Sequence, residues 1–293
     1  MRNMKGVLKN IADRILLGFL DLLPDKLRIR ILANNRMIRR MDYSKKEIYL
    51  WIDSEFEYKV RLASCEKEPE TVDWIESFLH PGDIFYDIGA NVGAYSLVAA
   101  KYFDGNIKVL AFEPAFTNFA NLCKNIYIIH CQDVIVPLQI ALSDQTVIKN
   151  FNYRNLTVGG SLHSLGEPLD PKGHLFKPVF KHPMLCYRLD DLIHQFELPI
   201  PNHMKIDVDG NELDILRGIG GLLQHKQIKS IMMEVNGEGA RGAFQDLVSF
   251  LQTMGFFLDS KHRYSFGGNS SRFSASYNCI FKKESCAVSL ANA

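Results

Sequence analysis

Two hydrophobic rhythms divide the chain near residue 80. Before it, Ile11, Ile15, Leu16, Phe19, Leu22 and Leu23 recur at helical spacing until Pro24 ends the run. A second helical stretch is predicted from about Asp25 to Met41. Glu47–Ile52 and Glu57–Leu62 read as short strands, a hairpin over the turn Asp53–Phe56. Pro69 to Leu79 reads as a helix with Val72, Ile75 and Leu79 on one face. Residues 1–80 are thus expected to form an accessory segment of basic helices plus a hairpin.

From Gly82 the rhythm becomes an alternation of strand and helix. Strands are predicted at Ile84–Ile88, Lys108–Phe112, Val134–Ile140, Met204–Val208 and Ile228–Val235. Helices are predicted at Val92–Phe103, Phe116–Ile126, Leu189–Phe196, Glu212–Leu223 and Ala240–Met254. Such alternation implies an α/β fold, a doubly wound and mostly parallel sheet with ligands at the carboxyl ends of its strands. Phe256–Asp259 and Ser276–Lys282 fit an antiparallel edge. The alternation lapses over about 145–188, an insertion rich in Gly, Pro, Asn and His with some strand at Val147–Tyr153. The main domain is expected over 81–283, and 284–293 as a flexible tail.

Composition changes this picture little. The 293 residues are 47% hydrophobic and 23% charged, as in globular chains. The net charge of +1 hides an asymmetry: residues 1–46 hold 12 Lys/Arg against 4 Asp/Glu. The greasy run Ile11–Leu23 is broken by Asp13, Arg14 and Asp21, too short and too charged to span a bilayer. Six scattered cysteines without C-x-x-C spacing suggest buried thiols in a reducing compartment, so the expected location is cytoplasmic. The basic run lacks interleaved aromatics, which disfavours nucleic acid; a peripheral membrane contact is open but not favoured, and the oligomeric state is not legible.

Chemistry concentrates at the predicted strand ends. Asp87 to Gly93 reads DIGANVG and runs into a helix, where Gly89 and Gly93 permit a tight turn and close backbone approach. A carboxylate at Asp87 gains nothing from a pyrophosphate, but attracts the cationic groups of S-adenosylmethionine (SAM). Glu113, in AFEP, is placed about twenty residues past the loop to accept ribose hydroxyls, in SAM or NAD alike. Ser143 and Asp144, in ALSD, are candidates for an adenine edge or an ordinary turn.

The fourth strand end reads KIDVDGNE. Alternation puts Lys205, Asp207 and Asp209 on one face, and a buried Lys and Asp are costly unless paired or used. Asp209 with Glu212 resembles an acidic capping box, which leaves Asp207 as the first candidate catalytic carboxylate and Lys205 as its charge partner. Glu234 and Asn236 project alongside, so Asp207, Glu234 and Asn236 form a candidate oxygen-rich cluster for a hard cation such as Mg²⁺, against the alternative of a solvated polar rim. His163, His174 and His182 of the insertion are candidate bases, His163 foremost, while His203 reads as structural.

GDIFYDIGANVGAYSLVAA, AFEP, ALSD, LDDLI, KIDVDGNELDILRG and IMMEVN, in this order, resemble the FkbM family of SAM-dependent methyltransferases, over roughly Pro81 to Leu258. The resemblance implies a class I, Rossmann-like fold of seven strands. It places Asp87, Gly89, Asn91 and Gly93 around the methionine moiety, Glu113 on the ribose, and Ser143 and Asp144 near the adenine. It further implies O-methylation of a hydroxyl on a sugar, glycan or natural-product acceptor, and metal-binding carboxylates at Asp207 and Glu234. Asp209 and Asn211 depart from the family pattern where Glu and Ala are commoner. The Gly159–Leu162 stretch of the insertion resembles a family loop. The rival readings are an NAD-dependent oxidoreductase on a similar fold and a non-catalytic SAM-binding or docking module.

Overall fold

The computed structural model describes residues 18, 19, 21–236, 244–263 and 276–283. The chain divides into two compact units, 1–38 and 39–293. In the first, helix α1 (Asp25–Asn34) follows Pro24 and buries none of its residues. Most of the helix expected from Ile11 lies outside the described residues, as do the loop between the last two strands and the tail 284–293. A short strand, β1 (Ile38–Arg40), marks the junction.

In the second unit, Met41 N–H donates to the Ile48 carbonyl at 2.8 Å and leads into β2 (Tyr49–Trp51). The hairpin does not form as expected, because Glu57–Arg61 is a π-helical turn. Ser54 Oγ accepts the Glu57 N–H at 3.0 Å, and the Glu57 carboxylate accepts the Asp53 N–H at 2.8 Å. Ser54 thus caps Glu57 while Glu57 reaches back to Asp53, and this S-x-x-E pair nucleates a helical turn where the apolar alternation alone suggested a strand. Helices α2 (Ser64–Lys67) and α3 (Pro69–Phe78) follow.

The main sheet contains β3 (Ile84–Ile88), β4 (Lys108–Phe112), β5 (Ile135–Leu138), β10 (His203–Ile206), β11 (Ser230–Asn236), β12 (Phe256–Arg263) and β13 (Ser276–Lys283). Their order is β12-β13-β11-β10-β3-β4-β5. The five strands from β11 to β5 through β10, β3 and β4 pair in parallel, and β13 and β12 add the antiparallel edge. Period-2 alternation sends neighbouring residues to opposite faces. Phe85, Val109, Met232 and Ile280 join a core with Trp74, Leu97 and Leu122, whereas Tyr86, Leu110, Met233 and Phe281 join a second with Leu216 and Leu251. Strand order reverses at β3, so the crevice at the carboxyl ends of β3 and β10 is where a ligand belongs.

The 145–188 stretch is more regular than its composition suggests. β6 (Ala141–Leu142), β7 (Val147–Tyr153), β8 (Ser164–Leu165) and β9 (Phe180–Tyr187) form a separate sheet in the order β6-β9-β7-β8. Its own core gathers Phe151, Tyr153, Leu165, Met184 and Cys186 around Ala115 and Ala141. Among the described residues no helix is long and apolar enough to cross a membrane.

Candidate active site

The crevice begins at the turn leaving β3. Gly89 has φ 84°, and a Cβ there would lie 1.9 Å from the Asp207 carbonyl oxygen. Two backbones meet at that point, and only glycine fits. Asn91 also takes a left-handed conformation, φ 51°. Gly93 caps helix α4 (Ala94–Tyr102) with φ 89°, and a Cβ on it would come 2.5 Å from Leu122 Cδ1. Gly93 therefore serves helix packing, and neither it nor Asp87 lines the cleft itself. Asp87 sits behind the lining, with Ser96 Oγ donating to Oδ2 at 2.6 Å and Oδ1 buried without a partner among the described residues. Burial raises its pKa, partly opposed by Lys205.

Glu113 faces the cleft and is held on both oxygens. Asn91 N–H donates to Oε2 at 2.7 Å and Ala115 N–H to Oε1 at 2.8 Å. Burial nevertheless pushes its pKa up to about 7. Each oxygen retains acceptor capacity, which suits a vicinal diol. The cleft encloses about 1120 Å³ including its open mouth. Beyond Glu113 its walls are apolar, with Phe112, Ile140, Leu142 and Ile215.

Ser143 and Asp144, expected at the adenine, do not line this cleft. β6 leaves the main sheet to pair with β9, and the chain beyond Leu142 goes with it. Ser143 N–H donates to the Tyr187 carbonyl at 2.9 Å, and Lys149 Nζ donates to Ser143 Oγ at 2.9 Å and Asp144 Oδ1 at 3.2 Å.

A charged cluster floors the other end. Lys205, opposite Asp87 in the β10–β3 register, donates to Asp207 Oδ2 at 2.6 Å and stands 5.0 Å from the Tyr95 ring centroid. Burial would raise the Asp207 pKa, but Lys205 and Lys67 outweigh it and hold the carboxyl at about 2. Glu234 lines the same cleft and further favours the charged form of Asp207. Its own pKa is raised well above the usual range by burial and by the negative charges of Asp207 and Glu68. Lys67 Nζ lies 2.5 Å from the buried Glu68. Lys205 and Lys67 thus hold the cationic positions beside the carboxylates proposed as Mg²⁺ ligands. Among the described residues, no group of three or more His, Cys, Asp or Glu is arranged to hold a metal ion. The Asn236 side chain lies outside the described set.

The roof is the Gly159–Leu162 loop. Arg61 Nε donates to the Gly159 carbonyl at 2.9 Å, and Asn91 and Asn118 side chains donate to the Gly160 carbonyl at 2.9 and 3.1 Å. Asp209 does not make the capping box read from the sequence: Asn211 is the N-cap of helix α7 (Glu212–Ile219), with no side-chain capping bond. Instead Asp209 has φ 60° and accepts the Leu162 N–H on Oδ2 at 2.6 Å. Left-handed backbone at Asp209 turns its side chain from the helix start toward the roof. Burial and the charge of Asp207 push its pKa up to about 6.

Of the three insertion histidines, only His163 lines the cleft. It is 7% exposed, its Nδ1 accepts the Arg154 N–H at 3.3 Å, and its Nε2 has no partner among the described residues. The bond at Nδ1 places the proton on Nε2, and burial lowers the pKa to about 4. A donor at Nε2 cannot take a proton from a substrate. His174 is instead near Asp170, and His203 is buried between Ser230 and Asp83, away from the site. Arg61, Ser64, Lys67, Tyr95 and Asp209 line the cleft without having been singled out as its residues from the sequence.

A glycine-turned strand end, a buried carboxylate twenty-odd residues on, an apolar slot and carboxylates on the fourth and fifth parallel strands define a class I, Rossmann-like methyltransferase fold. Residues 87–258 match the family described as the methyltransferase FkbM domain. Among curated proteins, the chain is 22% identical over 176 residues to hexuronic acid methyltransferase AglP of Haloferax volcanii, covering 60% of this chain and 65% of that protein, under two thirds of its length. It is 28% identical over 210 residues to 31-O-demethyl-FK506 methyltransferase FkbM of Streptomyces tacrolimicus, covering 65% of this chain and 78% of that one. Among solved structures, precorrin-6y C5,15-methyltransferase of Geobacter metallireducens aligns with TM-score 0.42 and 13% identity, over 75% of this chain and 88% of that one. The chain belongs to the FkbM methyltransferase family. Membership displaces the oxidoreductase alternative.

Proposed function

We propose that this chain transfers the methyl group of SAM to a hydroxyl oxygen of a sugar, glycan or natural-product acceptor. The observation that carries the proposal is Asp209, a carboxyl whose pKa is raised to about 6, on the rim between the cofactor cleft and a second cavity. The names of the two relatives, a hexuronic acid methyltransferase and a 31-O-demethyl-FK506 methyltransferase, support the acceptor class.

SAM supplies an activated methyl group and a good leaving group. The chain aligns the acceptor and receives its proton. On this reading Glu113 accepts the ribose hydroxyls, Phe112, Ile140 and Leu142 enclose the purine, and Asp207 with its anionic charge holds the sulfonium end. Asp207 is too acidic to be an effective base at neutral pH. Asp209 is better matched to that task, and Oδ1 remains for the hydroxyl while Oδ2 stays on Leu162. His163 donates a hydrogen bond to the bound ligands.

The accessory role of residues 1–80 is part of the proposal: Arg61, Ser64 and Lys67 close one wall of the cleft, and 81–283 form the catalytic domain. Free cysteines buried at 131, 186 and 279 suit a cytoplasmic setting. With Lys205 already paired to Asp207, catalysis is expected to need no Mg²⁺. Titration with S-adenosylhomocysteine (SAH) and NAD, followed by a transfer assay on sugar acceptors with and without EDTA, tests the reading. Tight NAD binding without SAH binding would remove it, and a loss of turnover in EDTA restored by Mg²⁺ would return the metal.

A further inference from the structure

A second cavity of about 1000 Å³ adjoins the cleft, sharing Asp209 and Glu234 with it. It holds neither the glycine turn nor Glu113, so no part of the cofactor apparatus accounts for it. Its lining combines Arg154 and Lys172 from the insertion with Asp209, Gly210 and Glu212 from the β10–α7 turn and Glu234 of β11.

Resting on the methyl-transfer reading above, we infer that this second cavity binds the acceptor and that Arg154 reads a carboxylate on it. The acceptor is then a polyhydroxylated acid, a uronic-acid-type sugar being the simplest case.

Arg154 is half-buried, and its guanidinium lies 5.3 Å from the Phe176 ring centroid. Stacking on one face fixes the plane and leaves the edge donors for a ligand. Its backbone N–H is committed to His163, and among the described residues no carboxylate pairs with its side chain. A half-buried, oriented guanidinium without an anion is a ready carboxylate receptor.

The neighbouring acids do not cancel it. Asp170 Oδ1 accepts the backbone N–H groups of Lys172 and His174 at 3.0 and 2.9 Å, so it is spent on its own loop. Burial raises the pKa of Glu212 to about 7, and burial with the charges of Asp207 and Glu68 raises that of Glu234, so both lean toward the neutral form. Those carboxyls can donate as well as accept, which suits sugar hydroxyls. Arg154 and Lys172 are the two cations of the lining, and the flat, oriented fork of Arg154 matches a planar carboxylate edge to edge. The carboxylate at Arg154 and a hydroxyl at Asp209 would span the cavity and present that hydroxyl to the shared rim.

The test uses the full chain saturated with SAH, titrated with methyl glucuronoside, methyl glucoside and glucose 6-phosphate. The uronoside is expected to bind about 10–100-fold more tightly than the glucoside, the range for one charge-assisted fork. Arg154→Gln, which keeps the backbone bond to His163, should abolish that preference and leave SAH affinity unchanged. Arg154→Lys should restore part of it. Equal binding of uronoside and glucoside, tighter binding of the phosphate, no binding of any of the three, or a preference that survives in Arg154→Gln would each overturn the inference while SAH binding leaves the methyltransferase reading standing. Failure of the wild type to bind SAH overturns both.

Discussion

The Leu162 N–H donates to Asp209 Oδ2 at 2.6 Å, and both residues have left-handed backbones, φ 66° and 60°. One bond therefore fastens the insertion's roof loop to the end of the fourth parallel strand. It also leaves Asp209 with one oxygen for chemistry, on the rim of both cavities.

Asp209→Asn keeps an acceptor for Leu162 and removes the base. Turnover should fall by about 10²–10⁴, the usual contribution of a positioned base, while SAH affinity stays within twofold. In the wild type kcat/KM should fall as pH drops through about 6, where Asp209 takes up its proton. Pre-steady-state methyl transfer measured from pH 5 to 8 checks both. An Asn variant that retains turnover and the same acidic limb would take Asp209 out of the reaction.

Gly89→Ala should be among the most damaging single changes in the molecule. The added methyl would stand 1.9 Å from the Asp207 carbonyl oxygen, which the Asp207 N–H bond to the Ile88 carbonyl at 3.0 Å holds in place. The expected loss is more than about 2 kcal/mol, read from urea unfolding midpoints, because neither backbone can yield and φ is positive. Gly82→Ala shares the positive φ, 87°, but has nothing within 4 Å of the added methyl, so it serves as the control for strain alone. Equal losses at the two positions would show that the close approach does not matter.

The parallel sheet was legible because each strand is short, apolar and followed by a periodic helix. Glu113, Lys205 and Asp207 were legible for a related reason, since strand ends at the switch point are fixed by topology. What could not be read was whatever depends on chain crossings. Asp209 and Glu212 fit a capping box on spacing alone, and only the left-handed turn at Asp209 sends its carboxylate to the roof. Ser143 follows a strand-like run, yet β6 belongs to another sheet. Ser54 and Glu57, by contrast, carried an S-x-x-E signal that outweighs the alternation of Glu57–Leu62, and that turn was readable in principle. Arg61 and Lys67 lie before the family motifs, and nothing local ties them to the cleft.

Glu113→Ala should weaken SAH binding by about 1–3 kcal/mol, the range for hydrogen bonds to a charged or partly charged group. It also strands the Asn91 and Ala115 N–H groups, so the turn itself should loosen. Glu113→Gln separates the two effects, because its one carbonyl oxygen can still serve one of those donors. Calorimetric titration of both variants is the measurement. SAH affinity unchanged in the Ala variant would place the ribose elsewhere.

His163 should make the protein sensitive to mild acid. Its folded pKa, about 4, lies below the usual histidine value because burial disfavours the cation. Between about pH 6.5 and 4 the unfolded chain binds a proton that the folded chain refuses. Stability from this group is therefore fully present above the unfolded value and is lost as pH falls, by up to about 3 kcal/mol. Asp209, Glu113 and Glu212 act with the opposite sign, since burial raises their pKa values and the folded chain keeps their protons to higher pH. The net profile cannot isolate His163, but a difference between variants can. His163→Gln does not titrate and retains an acceptor for the Arg154 N–H. Urea unfolding of wild type and His163→Gln at pH 7.0, 5.5 and 4.5 should show the gap shifting in favour of the Gln variant as pH drops. Parallel curves would mean that the folded protein lets His163 take up its proton at the usual histidine pH, so that burial does not disfavour its cation.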